Sequence, residues 1–146
     1  MDMTTLNGFV GYALRRAQAV VFSDLSEALS VLKLRPVQYT VLVLIDQNPG
    51  TSQSCVSTAL GIQKANFVAI IADLVARGLV RRQRSKLDGR TYSLGLTAAG
   101  KSVLSQGAEL QSAHEARVVA QLGAMGRSRL LELLDRLTHL PGAHPW

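Results

Sequence analysis

Apolar residues at Leu6, Phe9, Val10, Ala13, Leu14, Ala17, Val20, Val21, Leu25, Ala28, Leu29 and Leu32 recur at helical spacing. The spacing predicts one helix over residues 6–32. At 1.5 Å per residue it would be about 40 Å long, longer than a small domain is wide. Such a helix is expected to pack against a second chain as well as its own. Pro36 suits a first helical turn, and Val37, Val41, Leu44 and Ile45 make one face of a helix that "NPG" (48–50) ends. Thr51 or Ser52 then caps a very short helix reaching about Leu60 and stopped by Gly61. Phe67, Ile70, Ile71 and Leu74 stripe the next helix, with Gly78 at its C-cap.

The period then changes. Residues 79–84 and 91–96 read as two strands around a "KLDG" turn, with Tyr92, Leu94 and Leu96 sharing one face. A lone hairpin is marginal in water, so that face is expected to lean on a helix. This arrangement would free Arg82, Arg84 and Lys86 on the other side. Thr97 caps a long helix running to about Leu122. A final helix puts Leu130, Leu133, Leu134 and Leu137 on one side and ends before Pro141. The fold class is thus mainly α with one small β-hairpin. The chain is expected to be a single domain over 1–146.

Composition narrows the reading. With 47% hydrophobic and 18% charged residues the chain falls in the globular range, far from disorder. No apolar run approaches the roughly 20 residues that span a bilayer. The N-terminus lacks the pattern of a secretory signal, and a single cysteine, Cys55, rules out an intramolecular disulfide framework. A cytoplasmic protein is expected, with no membrane partner. The net charge is +6, and the segment 77–90 holds six basic residues against one acid, Asp88. A basic excess this concentrated suits a polyanion. Charge alone does not distinguish DNA, RNA and an anionic membrane, although no amphipathic basic helix with Trp or Phe opposite favours the membrane.

Order supplies what charge does not. A short helix, a glycine turn, a second helix and a basic hairpin form a helix-turn-helix with a wing. In this motif the second helix enters the major groove N-terminus first. Gln63, Lys64 and Asn66, with Ala65 among them, stand at that end. Gln and Asn pair bidentately with adenine, and Lys reaches guanine or phosphate. These are also ordinary surface residues, and the basic hairpin that follows tips the reading toward double-stranded DNA. Arg82, Arg84 and Lys86 read as phosphate contacts, which position without specifying. Arg90, past the wing tip, suits a narrow minor groove. Asp88 would repel phosphate unless it orients Arg90 by a charge-assisted hydrogen bond; "LDG" is also ordinary turn chemistry, and both can hold together.

The segment "LGIQKANFVAIIADLVARGLVRRQRSKLDGRTYSLGLTAAG" resembles the winged-helix core of the MarR family of transcriptional regulators. The match lies in "L-x-x-x-G-L-V", in "D-x-R" at Asp88 and Arg90, and in "L-x-L-T-x-x-G" from Leu94 to Gly100. "LRPVQYTVLVLI" matches the preceding helix, and "GYALRRAQ" matches the first helix more loosely. The resemblance implies a homodimeric regulator, usually a repressor, on a pseudo-palindromic operator. Residues 34–97 would be the DNA-binding lobe, and 1–33 and 98–146 the dimerisation helices. Two departures stand out: many relatives have Thr or Ser where Arg35 stands, and Arg where Ala69 stands.

The resemblance also implies a small organic effector between the dimer helices and the DNA-binding lobe. Arg15 or Arg16, Tyr39, and His114 or Arg117 are the candidates to face it. An arginine beside an aromatic suits a phenolic acid or its CoA thioester. Either arginine also reads as solvated helix surface. Peroxide-sensing relatives use a cysteine near the end of the first helix, which is absent here. Cys55 is expected in the core, as free cysteines usually are. His114, His139 and His144 show no metal-ligand spacing. No nucleophile–base pair, paired carboxylates or phosphate-cradling glycine loop is present, so no enzyme and no cofactor is expected. The alternative is a winged helix serving RNA or protein contact without an effector.

Overall fold

A computed structural model describes residues 3–84 and 92–141. Lys86, Asp88 and Arg90, and the "KLDG" turn with them, lie outside the described residues. The chain forms α1 (Thr4–Asn7), α2 (Val10–Ser30), α3 (Pro36–Gln47), α4 (Gln53–Ala59), α5 (Lys64–Ala76), β1 (Val80–Arg84), β2 (Tyr92–Leu96) and α6 (Ala98–Thr138). This is the mainly helical fold with one antiparallel hairpin that the periodicity predicts.

The first helix is not continuous over 6–32. The amides of Gly8 and Phe9 bond back to Thr5 and Leu6 carbonyls in a tight turn, and Phe9 is extended (φ −93, ψ 123). Gly8 is a poor helix former, and apolar periodicity does not register one such residue. Helix α2 is therefore 21 residues, about 31 Å rather than 40 Å. Segment α1 folds back on it through a bond from Arg16 Nη1 to Asn7 Oδ1 (3.0 Å).

Ahead of α3, Arg35 supplies no side-chain cap. Gln38 takes up part of the loss, because its Oε1 accepts from the Arg35 amide (2.9 Å). Its Nε2 donates to Asp73 on α5 (2.7 Å), so the same side chain ties two helices together. Ser52 caps α4, accepting from the Cys55 amide (3.2 Å), and Thr97 caps α6, accepting from Gly100 (2.9 Å). Helix α6 breaks at Gly123, whose φ of 71 and ψ of 160 leave helical geometry. Across that break Arg127 Nη2 reaches Glu115 Oε2 (2.7 Å), so the last helix folds back along the one before it.

The fully buried apolar residues all lie between Leu29 and Leu96, drawn from the end of α2, α3, α4, α5 and the hairpin. Helix α6 joins this core by close approach. A Cβ on Gly100 would stand 2.0 Å from the Leu79 carbonyl oxygen, and one on Gly107 would stand 2.7 Å from the Tyr39 ring. A charged knot then ties α6 to α2. Asp24 accepts from Arg117 Nη2 (2.8 Å) and Nε (3.1 Å), and lies 2.5 Å from Nδ1 of His114, which is 2% exposed. The Arg117 guanidinium, and after it His114, hold the Asp24 carboxyl below its usual 3.8.

Two predictions follow from these contacts. Gly100→Ala meets a backbone oxygen that cannot turn aside, whereas Gly107→Ala meets a ring that can. Thermal melting should show Gly100→Ala the more damaged, with overpacking of about 1–3 kcal/mol or more. For Asp24, a depressed folded-state pKa means stability present above pH 3.8 and lost as pH falls through the lower folded value. The gap in melting temperature between wild type and Asp24→Asn should therefore persist down to about pH 4 and close below it.

Candidate nucleic-acid interface

The turn between α4 and α5 is built from local bonds. Gly61 takes φ 60, its amide bonds to Thr58, and the Ile62 amide bonds to Ser57 (2.9 Å). The two helix axes turn through 117° there, within the range of a helix-turn-helix. Phe67, Ile70, Ile71 and Leu74 bury one side of α5, and Ile62 packs against the same core. Gln63, Lys64, Ala65 and Asn66 are left exposed at its first turn. Gln63 makes no capping bond, and among the described residues no hydrogen bond or ion pair engages the side chains of Gln63, Lys64 or Asn66. They are free to meet a ligand.

Cys55 is exposed, not in the core. On a seven-residue helix Val56 and Ser57 take the inward positions, which turns their neighbour outward. Residue type suggested burial, and helix phase decided against it. Among the described residues no three His, Cys, Asp or Glu side chains lie together to hold a metal ion.

The hairpin pairs Val80 with Leu96, Arg82 with Leu94 and Arg84 with Tyr92. Directly paired residues point to one face, so Arg82 and Arg84 share the face of Leu94 rather than opposing it. They are exposed all the same: that face is covered at Val80, Leu94 and Leu96 and runs past the core beyond them. Arg81 takes the other face and lies across Gly95, where a Cβ would come 3.4 Å from its Nε. Strand β2 is also bonded on its outer edge, with the Leu94 amide donating to Thr51 (2.8 Å) beside a Ser52–Ser93 bridge. The wing is thereby fastened to the start of α4.

The five effector candidates are spread along α2, α3 and α6, and only His114 and Arg117 among them share a partner. Arg16 is held by Asn7, with its guanidinium 5.8 Å from the Tyr12 ring centre; Arg15 is exposed. Tyr39 faces Gly107, and burial pushes its phenol pKa up. His114 and Arg117 meet on Asp24. Asp24 itself carries no sequence signal, because its partners are more than 90 positions ahead or close to it.

Two further features escape the sequence reading. An apolar cavity of about 390 Å³ lies between α2 and the two halves of α6, with Phe22, Val118, Leu131 and Leu134 in its walls and the Glu115–Arg127 pair at its edge. An open hollow of about 820 Å³ is bordered by Lys33, Arg35, Gln38, Asp73 and Arg77. Arg77 is not free there. It donates to the Lys33 carbonyl (2.9 Å) and the Leu32 carbonyl (3.1 Å), pinning the loop between α2 and α3.

Comparison with known proteins agrees with this geometry. The model of the MarR family matches residues 32–91. The structure is similar to that of the transcriptional repressor CouR bound to a 23-mer DNA duplex, with a TM-score of 0.92 and 39% identity over 95% of this chain and 99% of that one. It is similar also to CouR bound to p-coumaroyl-CoA, with a TM-score of 0.89 and 38% identity over 96% of this chain and 99% of that one. The HTH-type transcriptional repressor Rv2887 of Mycobacterium tuberculosis is 29% identical over 128 residues, 88% of this chain and 92% of the relative. A helix-turn-helix with a basic wing, on a chain so similar over its whole length to a repressor of that type, leaves one assignment: the protein belongs to the MarR family and is a transcriptional regulator, not an enzyme.

Proposed function

We propose that this regulator is a homodimeric repressor that grips a pseudo-palindromic operator and lets go when a small aromatic acid or its CoA thioester binds. The observation that carries the DNA reading is the exposed polar turn of Gln63, Lys64 and Asn66, without side-chain partners among the described residues, beside exposed Arg82 and Arg84. Residues 34–97 act as the DNA-binding lobe, with Gln63, Lys64 and Asn66 at base edges and Arg82, Arg84 and Lys86 on phosphates. Arg90 enters the minor groove, oriented by Asp88. A protein that works on the chromosome in this way is cytoplasmic.

Residues 1–33 and 98–146 act as dimerisation helices. Their exposed apolar side chains support this, among them Phe9, Val20 (71% exposed), Phe22, Met125 (88%) and Leu131. An apolar surface on that scale suits a second copy better than water.

The effector class is supported by the similarity to CouR, which has been seen with p-coumaroyl-CoA. Arg15, Arg16, Tyr39, His114 and Arg117 are the residues proposed to meet it. Arg16 is already oriented by Asn7. An anionic group that takes Arg117 from Asp24 would loosen α2 from α6.

Light scattering should give a dimer at micromolar concentration; a monomer would remove the support for the dimerisation helices. On a duplex the protein selects from a random library, Arg84→Ala should lower the salt slope of binding by about 1. Arg90→Ala should weaken binding several-fold, and unchanged affinity would sink the wing reading. A panel of aromatic acids and their CoA thioesters, added to the same complex, should contain at least one compound that releases the DNA. Release by none would remove the effector reading and leave DNA binding standing.

A further inference from the structure

Helix α5 carries an apolar side chain that the fold does not use. Val68 is 53% exposed, although Phe67, Ile70 and Ile71 beside it are buried. Within residues 34–97, Val68 and Tyr92 are the two large hydrophobic side chains exposed among the described residues. The others lie on or next to α1, α2 and α6, where the dimer surface proposed above accounts for them. Valine is also a poorer helix former than alanine, and an exposed one gains little burial in return. The fold leaves it uncovered, available to something outside the chain.

Its position says what. Val68 stands one helical turn beyond Lys64, on the helix that enters the major groove. With Gln53, Ser54, Ser57, Lys64 and Phe67 it borders a notch of about 210 Å³ between α4 and α5. From Phe67 to Ala72 the exposed residues of α5 are Val68, Ala69 and Ala72. None carries a hydrogen-bonding group, so beyond Asn66 this stretch cannot read a base by donor or acceptor. The one apolar feature that the major groove offers is the C5-methyl of thymine. Alanine can also touch that methyl, but Val68 is the one large apolar side chain exposed on this stretch of α5 and offers the greater contact.

We propose that Val68 is a specificity-determining residue that packs against a thymine C5-methyl, so that each half-site requires a T·A pair at that position. The proposal rests on the DNA-binding reading and deepens it. Polar readout belongs to the first turn of α5, and methyl readout to the turn that follows.

The test uses the full-length protein and a duplex it has selected from a random library. Its affinity is measured on that duplex and on copies carrying deoxyuridine for thymidine at one position at a time. An A·U pair keeps every hydrogen bond of A·T and loses only the methyl. Wild type should lose about fourfold at one symmetry-related position per half-site, the worth of one buried methyl. Val68→Ala should bind the unmodified duplex more weakly and lose little further from uracil there. Wild-type indifference to uracil at every position would overturn the proposal. So would an undiminished uracil penalty in Val68→Ala, since the methyl would then be read by another group. Failure to select any duplex would instead overturn the DNA-binding reading, and this proposal with it.

Discussion

Leu79 joins three parts of the chain at one point. Its amide donates to the Leu74 carbonyl (2.9 Å), closing the end of α5. Its carbonyl accepts from the Thr97 amide (3.1 Å), and Thr97 Oγ1 bonds to the Gly78 carbonyl next to it (2.6 Å). Gly100 then presses on that same carbonyl, an approach that no side chain at position 100 would allow. The end of the reading helix, the root of the wing and the start of α6 are thus fixed to one peptide. Close packing of this kind does not deform gradually, so the end of α5, the base of the hairpin and the start of α6 hold together as one unit.

The link from that body to the rest of the molecule runs through α3. Tyr39 rests on Gly107 of α6, and Gln38, the adjacent residue, reaches Asp73 of α5. One helix therefore feels α6 on one side and the reading helix on another. Farther along α6, His114 and Arg117 hold Asp24 of α2. In a dimer reading half-sites one duplex turn apart, the spacing of two α5 helices has to match roughly 34 Å. Tyr39 and the Asp24–Arg117 pair are thus the contacts through which α2 and α6 bear on α3 and the helix beyond it.

What the sequence made legible is what local chemistry decides. Ser52 and Thr97 cap because a hydroxyl three residues ahead of a free amide is the nearest acceptor, and Pro36 opens α3 for an equally local reason. The polar start of α5 was legible because its apolar stripe leaves only one side for Gln63, Lys64 and Asn66. What stayed hidden depends on pairing between distant segments. The bonds of Asp24 to His114 and Arg117 have no trace in spacing, and the face taken by Arg82 is set by register with Leu94. Strand β1 is charged or polar at four successive positions after Val80, so no alternation announces which way each side chain points. The break at Gly8 was masked because apolar residues keep their spacing straight through it.

Charge concentration likewise reads differently once each side chain has a place. The arginines and the lysine of segment 77–90 look equivalent in the sequence. Arg77 is spent on the carbonyls of Leu32 and Lys33, where it stiffens the joint between α2 and α3. Arg81 lies over Gly95 on the opposite face of the wing from Arg82. Of the described arginines in the segment, Arg82 and Arg84 share the remaining face. Among the described residues the basic cluster is therefore divided between holding the fold and standing exposed on the wing, so its formal charge overstates what is free to meet a polyanion. Since a salt slope counts neutralised phosphates and not formal charge, the placement of these side chains matters more than their number.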